Sequence, residues 1–196
     1  MENIELEFET RAMLSLSQYS NILYTLLEVE RLPFKKLFLE NEYYDTSSLS
    51  ILKSKNMLRV RILDSSFDLT LKVARSTLLG DKEFHQILTK EEYLNLKNNN
   101  IFPNGKIKDI LINEGINIFD IKYKTTLFCI RYEFYSDDTT ICLDKNKYDN
   151  ITDFNIEVES SSYQKSLNKN LELSKKFSYE LKEDYKTKYM RALLRY

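Results

Sequence analysis

The stretch Ile4 to Arg11, IELEFETR, sets Glu5, Glu7 and Glu9 against Ile4, Leu6 and Phe8 at alternate positions. A β-strand turns successive side chains to opposite faces, so a period of two puts three carboxylates on one face and three apolar side chains on the other. A half-buried strand with a solvated acidic face has the same pattern. The rest of the chain separates the two readings. LRVR (Leu58 to Arg61), LTLK (Leu69 to Lys72) and IEVE (Ile156 to Glu159) again carry charge at alternate positions. Several strands therefore each give one face to charge.

Working outward, the 196 residues are 42% hydrophobic, enough to bury one sizeable core. No Gly/Ser/Pro-rich stretch marks a linker, so residues 1–196 read as a single domain. Three Gly and two Pro exclude collagen-like and low-complexity classes, while 14 Tyr and 11 Phe favour strands. A net charge of −1 gives no compositional support to a nucleic-acid coat or a membrane-surface protein. The start, Met-Glu-Asn, has neither a basic n-region nor an apolar h-region, and nowhere do about eighteen apolar residues run together, so a cytoplasmic location is expected.

Eight strands emerge. The first covers about residues 2–11; a helix over Ser17 to Glu28 follows, with Tyr19, Ile22, Leu23, Leu26 and Leu27 at helical spacing behind a Ser cap. After Pro33 come FLENEYYDT and a short helix over Leu49 to Lys53, then NMLRVRIL and FDLTLKV joined through Asp64-Ser65-Ser66. DKEFHQIL runs into a helix opened by Thr89 with Glu91 and Glu92 in its first turn, and a second helix follows Pro103-Asn104-Gly105. IKYKTTLFCIRYEF, TTICLDKNKY and DFNIEVE complete the strands, before a helical tail from Tyr163 that ends in the basic run YKTKYMRALLR. Tyr189, Ala192 and Leu193 of that run fit an amphipathic helix packed on the sheet. A turn at Asp137-Asp138 pairs Cys129 with Asn146 and Cys142 with Glu133, too far apart for a disulfide. With one histidine and no CxxC, a structural zinc site is not expected. Tyr43 and Tyr44 read as packing residues, Asp45-Thr46 as a cap, and the lone His85 as a structural side chain.

The order of these motifs carries a family resemblance: ExE on the first strand, NEYYDT, LRVR, LTLK, a fifth-strand glutamate, an arginine on a long sixth strand, LD before a Tyr, ExE near the end and a terminal KYxR. The chain resembles the CYTH superfamily, the triphosphate tunnel metalloenzymes, and within it the small single-domain adenylate-cyclase-like proteins of Gram-positive bacteria. The resemblance spans essentially the whole chain. It implies an α+β fold: an eight-stranded antiparallel closed β-barrel, its tunnel charged inside, with helices packed outside.

Residue by residue, the resemblance implies metal-binding carboxylates at Glu5, Glu7, Asp144, Glu157 and Glu159, and a further acidic position at Glu83. It implies a triphosphate grip by Arg59, Arg61, Lys72, Arg131, Lys188 and Arg191, with Lys72, Arg131 and Lys188 catalytic. Oxygen-only carboxylate clusters suit Mg²⁺ or Mn²⁺, and a triphosphate with about four negative charges needs several cations, for which Arg offers a bidentate fork. In a closed barrel the first and last strands lie side by side, so Glu5, Glu7, Glu157 and Glu159 are expected to converge. The resemblance departs at Glu9, where the first-strand signature ExExK has its lysine; Arg11 lies two residues on, its Cα about 7 Å along the strand. Asn155 likewise stands where a third acid precedes the last ExE.

The expected activity is metal-dependent hydrolysis of tripolyphosphate or a nucleoside triphosphate. Adenylyl cyclisation and non-catalytic polyphosphate or nucleotide binding are the alternatives. The expected partner is a triphosphate-containing small molecule, with neither nucleic acid nor membrane, and the expected state is a monomer or small homodimer.

Overall fold

The computed structural model describes the backbone of residues 4–74, 79–182 and 185–194, with side chains from residue 6 onward. Its strands are β1 (Ile4–Leu14), β2 (Phe34–Asp45), β3 (Met57–Leu63), β4 (Ser66–Val73), β5 (Asp81–Leu88), β6 (Lys122–Ser136), β7 (Thr139–Tyr148) and β8 (Ile151–Ser160). They close into an antiparallel barrel in the order β1-β5-β4-β3-β2-β6-β7-β8, which bears out the expected α+β class and eight-stranded closure. The helices are α1 (Leu16–Tyr24), α2 (Ser50–Lys53), α3 (Lys90–Asn99), α4 (Lys106–Asn113), α5 (Tyr163–Phe177) and α6 (Lys188–Leu194). No described helix is long and apolar enough to cross a membrane.

Contacts divide the chain into two compact units. The first holds β3, β4, β5, α2, α3, α4, the C-terminal half of β2 and the start of β6. Its alternating strands behave as the period of two requires. Leu58, Val60, Leu69 and Leu71 are fully buried in one cluster with Tyr93 and Leu96 of α3 and Ile107 and Leu111 of α4, each such side chain contributing about 1.5–3 kcal/mol. Arg59, Arg61 and Lys72 turn to the opposite face of the sheet. The β3–β4 turn is shorter than expected. Leu63 pairs with Ser66, and Asp64 and Ser65 both take positive φ (47° and 67°), the two-residue turn whose twist matches its flanking strands. Thr89 caps α3 reciprocally: its Oγ1 accepts from Glu92 N–H, and Glu92 Oε2 accepts from Thr89 N–H. Asp45, fully buried, accepts from the N–H groups of Thr46, Ile51 and Leu52 at 2.7, 3.0 and 3.0 Å, the expected capping role. Tyr43 and Tyr44 are buried, as packing residues should be.

The second unit holds β7, β8, α1, α5, α6, most of β1, the start of β2 and the rest of β6. Ala12, Ile22, Leu26, Phe134, Leu143, Ile156, Val158, Leu173 and Phe177 lie in its core. The apolar face of β1 enters that core later than the sequence suggests. Leu6 is 56% exposed, whereas Thr10, Ala12 and Leu14 are buried. The reason is α5, which covers the strand at Thr10: Thr10 Oγ1 lies 2.7 Å from Ser166 Oγ and accepts from Asn170 Nδ2 at 2.9 Å. Ser15 caps α1 with a reciprocal Gln18 bond, and the expected helix ends as a π turn over Thr25–Val29, where Glu30 N–H donates to Thr25 O at 2.8 Å. Cys129 faces Asn146 and Glu133 faces Cys142, as expected, and both thiols are free and buried. Tyr189 and Ala192 of α6 are buried.

Candidate active site

In the second unit β1 pairs with β8, the neighbourhood expected of first and last strands, with Glu9 opposite Glu159 and Arg11 opposite Glu157. Like charges directly opposite across a ladder repel. Here the crowding is greater still, since one carboxylate oxygen from each of Glu7, Glu9 and Glu159 lies within 4.8 Å of the others. Burial raises the Glu159 pKa, Glu7 and Glu157 push it the same way, and Arg131 opposes them. Gly80 lies beside this strand with φ +67°, and a Cβ there would stand 3.0 Å from the Glu7 carbonyl, so the close approach requires glycine.

Next along β8, Glu157 sits among cations. Arg131 Nη2 and Lys188 Nζ both reach its Oε2, the lysine at 2.8 Å, and Arg11 Nε is 3.4 Å from Oε1. Arg131 also grips Asp144 with two parallel bonds, Nε to Oδ1 at 2.8 Å and Nη2 to Oδ2 at 2.9 Å, and its Nη1 is 3.4 Å from Glu159 Oε1. Lys188 Nζ adds a contact to Asp144 Oδ2 at 2.6 Å. Burial works against the Asp144 charge, but Arg131 and Lys188 outweigh it and hold its pKa down at about 2. The same competition keeps Glu157 well below the usual carboxylate range. Two residues apart on one strand face, Glu157 is neutralised and Glu159 is crowded.

Arg11 folds back along β1: its Nε donates to Glu9 Oε2 at 2.8 Å while its guanidinium stands 5.8 Å from the Tyr185 ring centroid. Arg191 is buried and engaged throughout, with Asp153 Oδ2 at 2.8 Å, Asn155 Oδ1 at 3.0 Å and Tyr185 Oη at 2.8 Å. It ties α6 to β8. Cys142 Sγ lies 3.4 Å from Glu159 Oε1, but burial pushes its pKa well up, so it stands there as a thiol. The acidic cluster thus offers carboxylate oxygen and no thiolate. That donor set fits a hard divalent cation and not a soft one.

In the first unit the charged faces of β3, β4 and β5 form a second group. Lys72 Nζ lies 3.4 Å from both Asp81 Oδ2 and Glu83 Oε1, and Arg59 Nη2 is 3.7 Å from Glu83 Oε2. Arg61 Nε donates to Asn41 Oδ1 at 2.9 Å. His85 Nδ1 bonds Asp68 Oδ2 at 2.8 Å; that bond and Glu83 raise the imidazole pKa to about 9 against the effect of burial.

Of the expected ligands, Glu7 and Glu159 come together with Glu9, while Asp144 and Glu157 lie in ion pairs with Arg131 and Lys188. The Glu5 side chain lies outside the described residues. Sequence reasoning placed Glu9 on the acidic face but took it as a departure from the family's lysine, and Arg11 as displaced along the strand, so neither was counted in the site. The signal was there in the uninterrupted period of Glu5, Glu7, Glu9 and Arg11, which puts all four on one face.

The CYTH domain family model matches residues 5–189. A Bacillus subtilis (strain 168) protein named "Putative triphosphatase YjbK" is 30% identical over 179 residues, covering 91% of this chain and 90% of that one. A Bacillus halodurans structure described as a "putative adenylate cyclase" superposes with a TM-score of 0.87 at 27% identity, covering 96% of this chain and 97% of that one. A Hippeastrum protein, described as a "putative adenylyl cyclase" with a dominant triphosphatase activity, shares the fold with a TM-score of 0.77 at 18% identity, over 95% of each chain.

Proposed function

This chain belongs to the CYTH domain family, and on that premise we propose that it hydrolyses a triphosphate, either inorganic tripolyphosphate or a nucleoside triphosphate, with the help of a divalent cation. The observation that carries the reading is the carboxylate-only cluster of Glu7, Glu9 and Glu159 with the buried Arg131 guanidinium 3.4 Å from Glu159. A cation site beside a fixed positive group is what phosphate oxygens require. The name of the Bacillus subtilis relative points the same way.

Glu7, Glu9 and Glu159, with Glu5 beside them in sequence, are the proposed ligands of Mg²⁺ or Mn²⁺. When bound, such an ion neutralises phosphate oxygens and lowers the pKa of the attacking water. Arg131 and Lys188 are the proposed groups that stabilise charge on the transferred phosphoryl, and Asp144 and Glu157 serve to hold both in fixed positions, so little reorganisation is needed during reaction. Lys72, in the first unit, is likewise proposed as a catalytic cation. Arg59, Arg61 and Lys72 bind phosphate oxygens, Arg59 and Arg61 through guanidinium forks. Arg191 anchors α6 and thereby places Lys188. The substrate is a small triphosphate-bearing molecule in the cytoplasm, and the protein acts as a monomer or small homodimer.

A phosphate-release assay across tripolyphosphate, ATP and other nucleoside triphosphates, with and without Mn²⁺, tests this reading. Metal-dependent orthophosphate is the expected product, and its absence from every substrate sinks the proposal. The likeness to the Bacillus halodurans protein favours cyclisation as a second reading, in which cyclic AMP and pyrophosphate would appear instead. Tight binding with no turnover would make the chain a binding module.

A further inference from the structure

On the polar face of β3, β4 and β5, three cations converge on one carboxylate. Glu83 Oε1 is 3.4 Å from Lys72 Nζ, and Glu83 Oε2 is 3.7 Å from Arg59 Nη2 and 3.5 Å from His85 Nε2. The latter two separations are longer than the ~2.7–3.2 Å of a formed N–H···O bond. Arg59 Nε and His85 Nε2 are both buried with no hydrogen-bond partner among the described residues. A buried donor left unmade costs about 1–3 kcal/mol, and two on one face indicate a group that completes them.

The histidine ring is fixed from its other edge. Its Nδ1 bonds Asp68 Oδ2 at 2.8 Å, and Thr70, its cross-strand partner, has Oγ1 at 3.5 Å from the same nitrogen. Thr70 is also the partner of Arg59, so Arg59, Thr70 and His85 form one row across three strands. The Asp68 bond commits Nδ1 and leaves Nε2 directed at the Glu83 side, where Arg59 and Lys72 also point. With its pKa raised to about 9, the ring carries both protons at neutral pH, and Nε2–H is a charged donor. The expectation that His85 is a structural side chain accounts for the Asp68 bond and leaves Nε2 unexplained.

We propose that His85 is a third phosphate-binding cation, acting with Arg59 and Lys72, and that the donors directed at Glu83 close onto the oxygens of an oligophosphate. This rests on the triphosphate reading above and adds to it a contact from β5. A carboxylate and a phosphate offer a guanidinium similar oxygen pairs, but an oligophosphate brings more charge and more oxygens than Glu83 alone. Donors waiting at 3.5 to 3.7 Å can then shorten to full hydrogen bonds. Glu83 keeps the cations together and Asp68 orients the ring.

The chain contains one histidine, so imidazole ¹⁵N and ¹H resonances report on His85 alone. Titrating the full-length protein with sodium tripolyphosphate in the presence of Mg²⁺ should move the Nε2–H resonance saturably, with the dissociation constant that calorimetry gives on the same sample. His85→Gln keeps a donor and removes the charge, and should weaken tripolyphosphate binding about tenfold, or about 1.4 kcal/mol. Wild-type protein that binds tripolyphosphate with its imidazole signals unmoved overturns the inference, as does undiminished affinity in a folded His85→Gln variant. Should that variant fail to fold, the wild-type titration decides. Wild-type protein that binds no tripolyphosphate at all defeats the triphosphate reading, and this inference with it.

Discussion

Replacing Arg131 with Gln removes the cation that Asp144, Glu157 and Glu159 share. Arg131 is 7% exposed and Asp144 fully buried, so the carboxylate left behind has little access to water. Removing one partner of a buried ion pair costs about 3–5 kcal/mol. Lys188 Nζ stays 2.6 Å from Asp144 Oδ2 and still supplies one positive charge, which puts the expected loss near the lower end, at about 3 kcal/mol. The Asp144 pKa points the same way: against burial, Arg131 and Lys188 together hold this carboxylate below its ordinary value.

The sign of the pH dependence follows from linkage. Asp144 and Glu157 both have depressed folded-state pKa values, so they contribute stability that is present above their unfolded values and lost as pH falls through the folded ones. Arg131→Gln removes much of that contribution. The gap between wild type and variant should be widest above about pH 5 and close towards pH 2. Urea unfolding followed by far-UV circular dichroism, since the chain has no Trp, measures it at pH 7, 5 and 3. A penalty below about 1 kcal/mol at pH 7, or one unchanged at pH 3, would refute the assignment of Arg131 as the main counter-ion of this network.

Glu159→Gln should leave the metal-free protein as stable as wild type or slightly more so, because burial, Glu7 and Glu157 raise the Glu159 pKa and its charge is unfavourable at neutral pH; the same variant should lose most of the Mn²⁺-induced rise in melting temperature, and an undiminished rise removes Glu159 from the proposed ligands. His85 has a folded-state pKa raised from 6.5 to about 9, so its contribution is complete below about pH 6.5 and declines as pH rises to 9; after allowance for solvent screening we expect about 1 kcal/mol lost over that window, absent in His85→Gln, as read by melts at pH 6, 7.5 and 9. Asp45→Ala strips the acceptor from the N–H of Thr46 and from those of Ile51 and Leu52 in the first turn of α2, and should cost about 2 kcal/mol in chemical denaturation without altering Mn²⁺ affinity; a loss under about 0.5 kcal/mol, the range of ordinary surface changes, would contradict the capping role.

The barrel was legible because strand alternation is a local property. Arg59 and Arg61 on one face of β3 with Leu58 and Val60 on the other could be read from four residues, and the structure buries the pair it should. The Cys129 and Cys142 pairings followed from one turn position in the same way. Where the reading fell short, the missing information was non-local. Leu6 and Ala12 share a face of β1, yet Ala12 is core and Leu6 is not, because the cluster that covers Ala12 is built from α1, the strands β6 to β8 and α5, the last more than 150 residues on. His85 looked partnerless because Asp68, which fixes its ring, comes from the neighbouring strand across β4–β5.

The candidate site depends on the same kind of fact. Glu157 and Glu159 occupy equivalent places in the motif ExE, and nothing in that motif ranks one above the other. Register does: Glu157 lies opposite Arg11 on β1, whereas Glu159 lies opposite Glu9. A step of two residues along the same strand face therefore gives Glu157 a cation and Glu159 a like charge, and Arg131 and Lys188 then widen the difference by binding Glu157 directly. A glutamate at position 9 leaves a cross-strand repulsion that Arg11 offsets in part and that the proposed divalent cation would relieve further. The departure from ExExK at Glu9 thus shifts the proposed metal site onto Glu7, Glu9 and Glu159, and gives Arg11 the work of holding Glu9 in place.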